Sequence, residues 1–150
     1  MTEKDPDGVL TFLVRHTWLS MRAVIEDELS AHGLTVPQFA TLMMLDKQPG
    51  LSIADVARLC ASTRQAANEM VTGLENEGLA VRSPHPTDRR THQVHMTPAG
   101  RERYIAARPG VLRREARLEA GLSEAQRTAA REWMLGIAGA CSASDDADSR

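Results

Sequence analysis

With 150 residues, 18 Lys+Arg against 20 Asp+Glu and a formal net charge of −2, the chain can bury one real core, with or without long helical arms. The balance excludes a polyanion partner advertised by bulk charge, so any nucleic-acid contact has to come from local placement. No apolar run approaches the ~18 residues of a membrane span, and the polar, acidic start MTEKDPDG lacks the basic-then-apolar pattern of a secretory leader, which predicts a soluble, cytoplasmic protein with no membrane partner.

Residues 1–8 are expected to be disordered. From Val9 to Leu29 the apolar positions, among them Phe12, Leu13, Trp18, Leu19, Met21 and Ile25, cover more than one stripe of a helix. A lone small domain does not bury that much of its first helix, which suggests a second chain against it. Gly33 ends the helix. LTVPQFATLMMLDKQPG reads as a second helix, capped by Thr35, with Phe39, Leu42, Met43 and Leu45 inward and Pro49-Gly50 as the stop. Ser52 can cap a short third helix carrying Ile53, Val56, Ala57 and Cys60 inward, and Thr63 can cap a fourth with Ala66, Ala67, Met70, Val71 and Leu74 on one face. Gly78 closes that helix, with Leu79 packing back on Leu74.

Leu79–Pro84 and the stretch around Val94 and Met96 alternate apolar with polar, which predicts a hairpin; its connection HPTDRRT is long and polar, and should project into solvent as a flexible loop. Pro84 and Pro86 stiffen the approach to the tip. Asp88 and Arg90, two apart, can share one side, where the carboxylate would hold the guanidinium. Thr97-Pro98 starts a long helix that Arg108-Pro109-Gly110 should kink or break. A last helix opens on the box Ser123-x-x-Gln126 and carries Ala129, Ala130, Trp133, Met134 and Ile137 on an apolar side, before a disordered tail over 141–150.

Helix, tight turn, helix and hairpin in this order predict a mainly α fold with a small β-hairpin wing: a winged helix-turn-helix over 35–97, flanked by N- and C-terminal helices, 9–32 and 98–140, that form a dimerisation region within one domain, 9–140. DRRTHQVHMTPAG, with its Asp-x-Arg, alternation and Thr-x-x-Gly, resembles the wing signature of the MarR family of bacterial transcriptional regulators, and GLTVPQFATLMML and LENEGLAVR resemble further family segments. The resemblance spans roughly Val9 to Ala140. It implies a homodimer on a pseudo-palindromic double-stranded DNA operator, acting as a repressor released by a small ligand. Departures are Ala61, where glycine is frequent in the turn, and Ser62, where an apolar plug is common.

The residues point the same way on their own. With the apolar face of the fourth helix committed inward, Arg64, Gln65, Asn68 and Thr72 remain outward; arginine can fork onto guanine, and glutamine or asparagine can pair with adenine. In the wing, Asp88 would orient Arg90 into a minor groove while Arg89 meets phosphate or solvent. Between Ser52 and Met96, Arg58, Arg64, Arg82, Arg89 and Arg90 are balanced by Asp55, Glu69, Glu75, Glu77 and Asp88, so non-specific affinity should be modest. That balance keeps open an alternative, a winged-helix protein-interaction module without specific DNA binding.

Other chemistry is poorly represented. His92 and His95 fall on opposite faces of a strand, so no metal or other cofactor is expected. His85 and Asp88 could meet in the wing. Cys60 reads as core packing rather than a redox switch, and Cys141 has no visible partner. No nucleophile with a base, acid pair or phosphate loop supports an enzyme. For a ligand pocket the family cleft suggests Arg15, His16, Trp18, Phe39 and Met43, facing a small aromatic or anionic effector; of these, Trp18 and Phe39 read better as core.

Overall fold

Side-chain caps set where the helices begin. The computed structural model describes residues 9–148 other than 61 and 89, with side chains described as far as 140. Helix α1 spans Leu10–Ser30 and is followed by a turn through Gly33, whose φ of 63° is one that a residue with a Cβ rarely adopts. Helix α2, Val36–Lys47, starts on a full capping box: Thr35 Oγ1 accepts from Gln38 N, and Gln38 Oε1 accepts from Thr35 N. Helix α3, Ile53–Leu59, repeats the device with Ser52 and Asp55. Thr63 caps helix α4, Arg64–Asn76, by accepting from Ala66 N. At its far end the Leu79 N–H reaches Leu74 O at 2.8 Å and Gly78 sits at φ 71°, the left-handed exit expected of a glycine after a helix.

Strands β1, Ala80–Pro84, and β2, His92–Met96, form the antiparallel hairpin, with Val81 opposite His95 and Arg82 opposite Val94. Leu51 adds an isolated bridge to Val94, so the hairpin is tied to the turn ahead of α3. Helix α5 spans Pro98–Leu118 and helix α6 Glu124–Asp148.

The chain divides at Arg114/Glu115 into two compact units, where one domain is expected. In the first, α1, α2, α3, α4 and the hairpin surround one core of Leu29, Leu42, Leu45, Val56, Val71, Leu74, Leu79 and Val94, each essentially inaccessible to solvent. Phe39 lies in the same core, its ring 5.4 Å from that of Tyr104 on α5. Arg114 anchors α5 to α1 through Glu28 and Asp27, both at 3.0 Å, and these carboxylates raise its pKa, Glu28 most. In the second unit Ser123 and Gln126 form the predicted box at the start of α6, and Arg131 pairs with Glu119.

Two expectations are corrected. The break that Arg108-Pro109-Gly110 could make in α5 does not occur, since the helix continues through Pro109; next to it Gly110 is buried against the Glu28 side chain, which a Cβ would have to displace, so tertiary contact supports a helix that local propensity would end. Helix α6 continues to Asp148 rather than giving way to a tail at 141, and no proline or glycine follows Gly139 to stop the backbone ladder. On α1 only Ile25 and Leu29 are buried in the isolated chain; Phe12, Leu13, Trp18 and Leu19 stay exposed.

Candidate nucleic-acid interface

Helix α3 and the turn after it aim α4. Asp55 locks the start of α3: its carboxylate takes the Ser52 hydroxyl at 2.7 Å and the Ser52 amide at 3.2 Å, and also receives Arg58. The Ser52 hydroxyl bond first, then Arg58, holds the Asp55 pKa below the ordinary aspartate range. Within α4, burial of Ala67, Val71 and Leu74 turns Arg64, Gln65, Asn68 and Thr72 to solvent, as the helical period demands. Ala66, expected inward, is exposed because the buried stripe is only three residues wide.

These four are not equally free. Gln65 Nε2 donates to Glu69 Oε1 at 3.1 Å, one turn on. Thr72 Oγ1 donates to Asn68 O at 2.9 Å and accepts from Arg82 at 3.1 Å, so its hydroxyl is engaged in holding the surface together. Arg82, on β1, is a site residue that sequence reasoning missed. Its Nη2 donates to Asn68 Oδ1 at 3.0 Å and to Asn68 O at 3.1 Å, while Nη1 meets Glu75 Oε2 at 2.8 Å and its own amide donates to Glu75 Oε1. The signal was present in LENEGLAVR: a carboxylate seven residues ahead of an arginine, across a helix-to-strand corner. Only the corner's geometry reveals the pairing.

Local hydrogen bonds shape the described residues of the wing turn. His85 N donates to Thr91 O at 3.1 Å, and the His85 ring accepts at Nδ1 from the amides of Thr87 and Asp88, at 3.2 and 3.1 Å. His85 and Asp88 thus do meet, through a backbone amide. The carboxylate of Asp88 accepts from the Arg90 backbone amide at 3.0 Å; the guanidinium itself is not its partner, a correction to the side-chain pair expected from their spacing. An Asx turn of this kind satisfies the carboxylate locally, before a long side chain can reach it. Arg90 is exposed, and Arg89 lies outside the described residues. Arg64 and Asn68 of α4, Arg82 of β1, and Arg90 and His92 of the wing line one hollow of about 410 Å³, floored by Ser52, Ile53 and Ala54 at the start of α3.

A second hollow of about 520 Å³ lies behind α4, lined among others by Trp18, Arg22, Pro37, Cys60, Ser62 and Met70. Of the pocket residues expected from sequence it contains Trp18 alone. Phe39 is in the core, Met43 packs against the core, and Arg15 and His16 are exposed on α1, His16 stacked on Phe12. Cys60 is half-buried on the wall rather than sealed in the core, 3.7 Å from Thr41 Oγ1. Ser62 Oγ is buried there without a hydrogen-bond partner among the described residues. Among the described residues no group of three or more His, Cys, Asp or Glu could hold a metal ion, and no helix is long and apolar enough to cross a membrane.

A helix-turn-helix whose second helix stands exposed beside a hairpin wing defines the winged-helix class of DNA-binding transcriptional regulators. Residues 32–91 match the family model described as "MarR family". The HTH-type transcriptional repressor Rv2887 of Mycobacterium tuberculosis is 33% identical over 121 residues, 81% of this chain and 87% of the relative. Its solved complex with salicylic acid aligns at 28% identity with a TM-score of 0.69, over 91% of this chain and 99% of that one. The repressor CouR bound to a 23-mer DNA duplex aligns at 28% identity with a TM-score of 0.83, covering 92% of this chain and 98% of its own; CouR comes from Rhodococcus jostii RHA1. The chain belongs to the MarR family.

Proposed function

We propose that the protein acts in the cytoplasm as a homodimeric, non-enzymatic repressor that grips a pseudo-palindromic operator and is released by a small aromatic or anionic ligand. One observation carries the reading: in a chain of net charge −2, Arg64, Arg82 and Arg90 converge on the hollow between α4 and the wing. Arg82 is paired with Glu75, so Arg64 and Arg90 are the cations offered to phosphate where the two DNA-facing elements meet. In this reading Arg64, Gln65 and Asn68 face base edges, Thr72 braces them, and the wing segment Asp88, Arg89 and Arg90 reaches the neighbouring minor groove.

Dimerisation through the terminal helices, 9–32 and 98–140, is supported by the exposed apolar side chains of α1 and, separately, by exposed Trp133, Met134, Leu135 and Ile137 on α6. The hollow behind α4 supports the effector: Trp18 offers an aromatic wall, Arg22 a cation now paired with Glu26, and Ser62 a buried hydroxyl awaiting a partner. Salicylate and p-coumaroyl-CoA, bound by the two relatives, share an aromatic ring and an anionic group.

Fluorescence anisotropy on duplexes from the DNA flanking the coding region tests the reading. Sequence-selective binding that weakens with salt is expected; a protein-interaction module would bind no duplex selectively. Addition of salicylate should release the duplex and quench Trp18 in a Trp133→Phe background.

A further inference from the structure

The bond between Arg82 and Asn68 fixes what Asn68 can read. A guanidinium carries five N–H donors and no acceptor. Whichever way the carboxamide is drawn, only its oxygen can face Arg82, so Oδ1 points inward and Nδ2 points away. Arg82 cannot easily yield, because Glu75 holds it at 2.8 Å on the other nitrogen and Thr72 Oγ1 and Asn68 O share Nη2. Asn68 is exposed on α4, and no partner among the described residues takes its Nδ2.

Asparagine reads adenine by a two-point match, accepting from N6 through Oδ1 and donating to N7 through Nδ2. That match needs Oδ1 and Nδ2 presented together to the base, whereas the bond to Arg82 turns Oδ1 inward and leaves it at most one further lone pair. The group that faces outward is the NH₂, with its two donors. In the major groove guanine presents two acceptors side by side, O6 and N7, whereas adenine offers N7 alone beside an amine that would meet the carboxamide's own hydrogens, thymine offers O4 alone, and cytosine offers only an amine.

We infer that Arg82 is a specificity-determining positioning residue: it turns the Asn68 carboxamide so that its NH₂ faces outward, and each half-site carries guanine, rather than adenine, opposite Asn68. The inference rests on the DNA-binding reading above and deepens it. Because Arg82 sits on β1 and Asn68 on α4, the same bond couples the approach of the wing to the setting of the recognition helix.

The test uses the full-length dimer and a double-stranded DNA library with a randomised core, followed by anisotropy on labelled duplexes carrying each base at the position that Asn68→Ala renders indifferent. The parent should favour guanine over adenine there by about fivefold or more. Arg82→Met should bring that ratio to within about twofold or invert it, since the freed carboxamide can turn its acceptor toward the base. Asn68→Asp keeps an oxygen on Arg82 and removes both donors, so it should lose the guanine preference with a melting temperature near that of the parent; it carries the test if Arg82→Met fails to fold. A parent that favours adenine, an unchanged ratio in Arg82→Met, or guanine preference retained by Asn68→Asp would each overturn the inference while leaving selective DNA binding intact. A library that yields no selective duplex overturns the DNA-binding reading together with it.

Discussion

Asp88 holds Arg90 by its backbone: the carboxylate accepts the Arg90 amide at 3.0 Å, and Arg90 is exposed. The acid therefore shapes the turn that presents the arginine, while the arginine keeps its charge for phosphate or a narrow minor groove. Arg90→Ala should weaken operator binding tenfold or more, about 1.4 kcal/mol, with no change in melting temperature. Asp88→Ala should give a smaller loss, with faster hydrogen exchange at the Arg90 amide. An Arg90→Ala protein that binds like the parent at about 0.15 M salt would remove the wing from the interface.

Gln65 tests specificity at the start of α4. Its amide nitrogen rests on Glu69 at 3.1 Å, on an exposed face where the bond can be exchanged for a base edge. Gln65→Ala should cost about 1–3 kcal/mol on the preferred duplex and leave weak binding to unrelated duplexes nearly intact. Equal weakening on all duplexes would make Gln65 a phosphate or structural contact.

Gly100 is where α5 touches the hairpin. A Cβ there would run into the carbonyl oxygen of Leu79 and lie 3.0 Å from Met96 Cγ. Leu79 O also accepts from Thr97 N, so it is not free to move away. Gly100→Ala should destabilise by about 1–3 kcal/mol, a fall of roughly 3–10 °C in the thermal midpoint. A variant melting within one degree of the parent would show that α5 can slide.

Acid should loosen the start of α3. The folded pKa of Asp55 is depressed, so its contribution to stability is present above the unfolded pKa of about 3.9 and is lost as pH falls through the folded value. Asp55→Asn should therefore be less stable than the parent at neutral pH, and the gap should narrow below about pH 4. A gap that stays constant from neutral pH to about pH 3 would show that the charge of Asp55 is immaterial.

Removal of residues from Leu122 onward deletes α6 and its exposed Trp133, Met134 and Ile137. The truncated chain should sediment as monomer or aggregate and lose operator affinity, because a lone winged helix contacts one half-site. A truncated protein that remains dimeric and binds as before would assign the dimer to α1.

The helices, their caps and the hairpin were legible in the amino-acid order, because each rests on contacts a few residues apart: Thr35 with Gln38, Ser52 with Asp55, Ser123 with Gln126, Leu79 with Leu74. The outward set on α4 followed from the helical period once Ala67, Val71 and Leu74 turned inward. What tertiary structure decided lies at longer range. Arg82 takes its partners from a helix across the corner, Pro109 stays helical beside a glycine packed on Glu28, and Trp18, read as core, stays exposed beside the hollow behind α4. In each case a local preference is worth about 1–3 kcal/mol and is outweighed, or redirected, by packing and hydrogen bonds from residues that the sequence keeps apart.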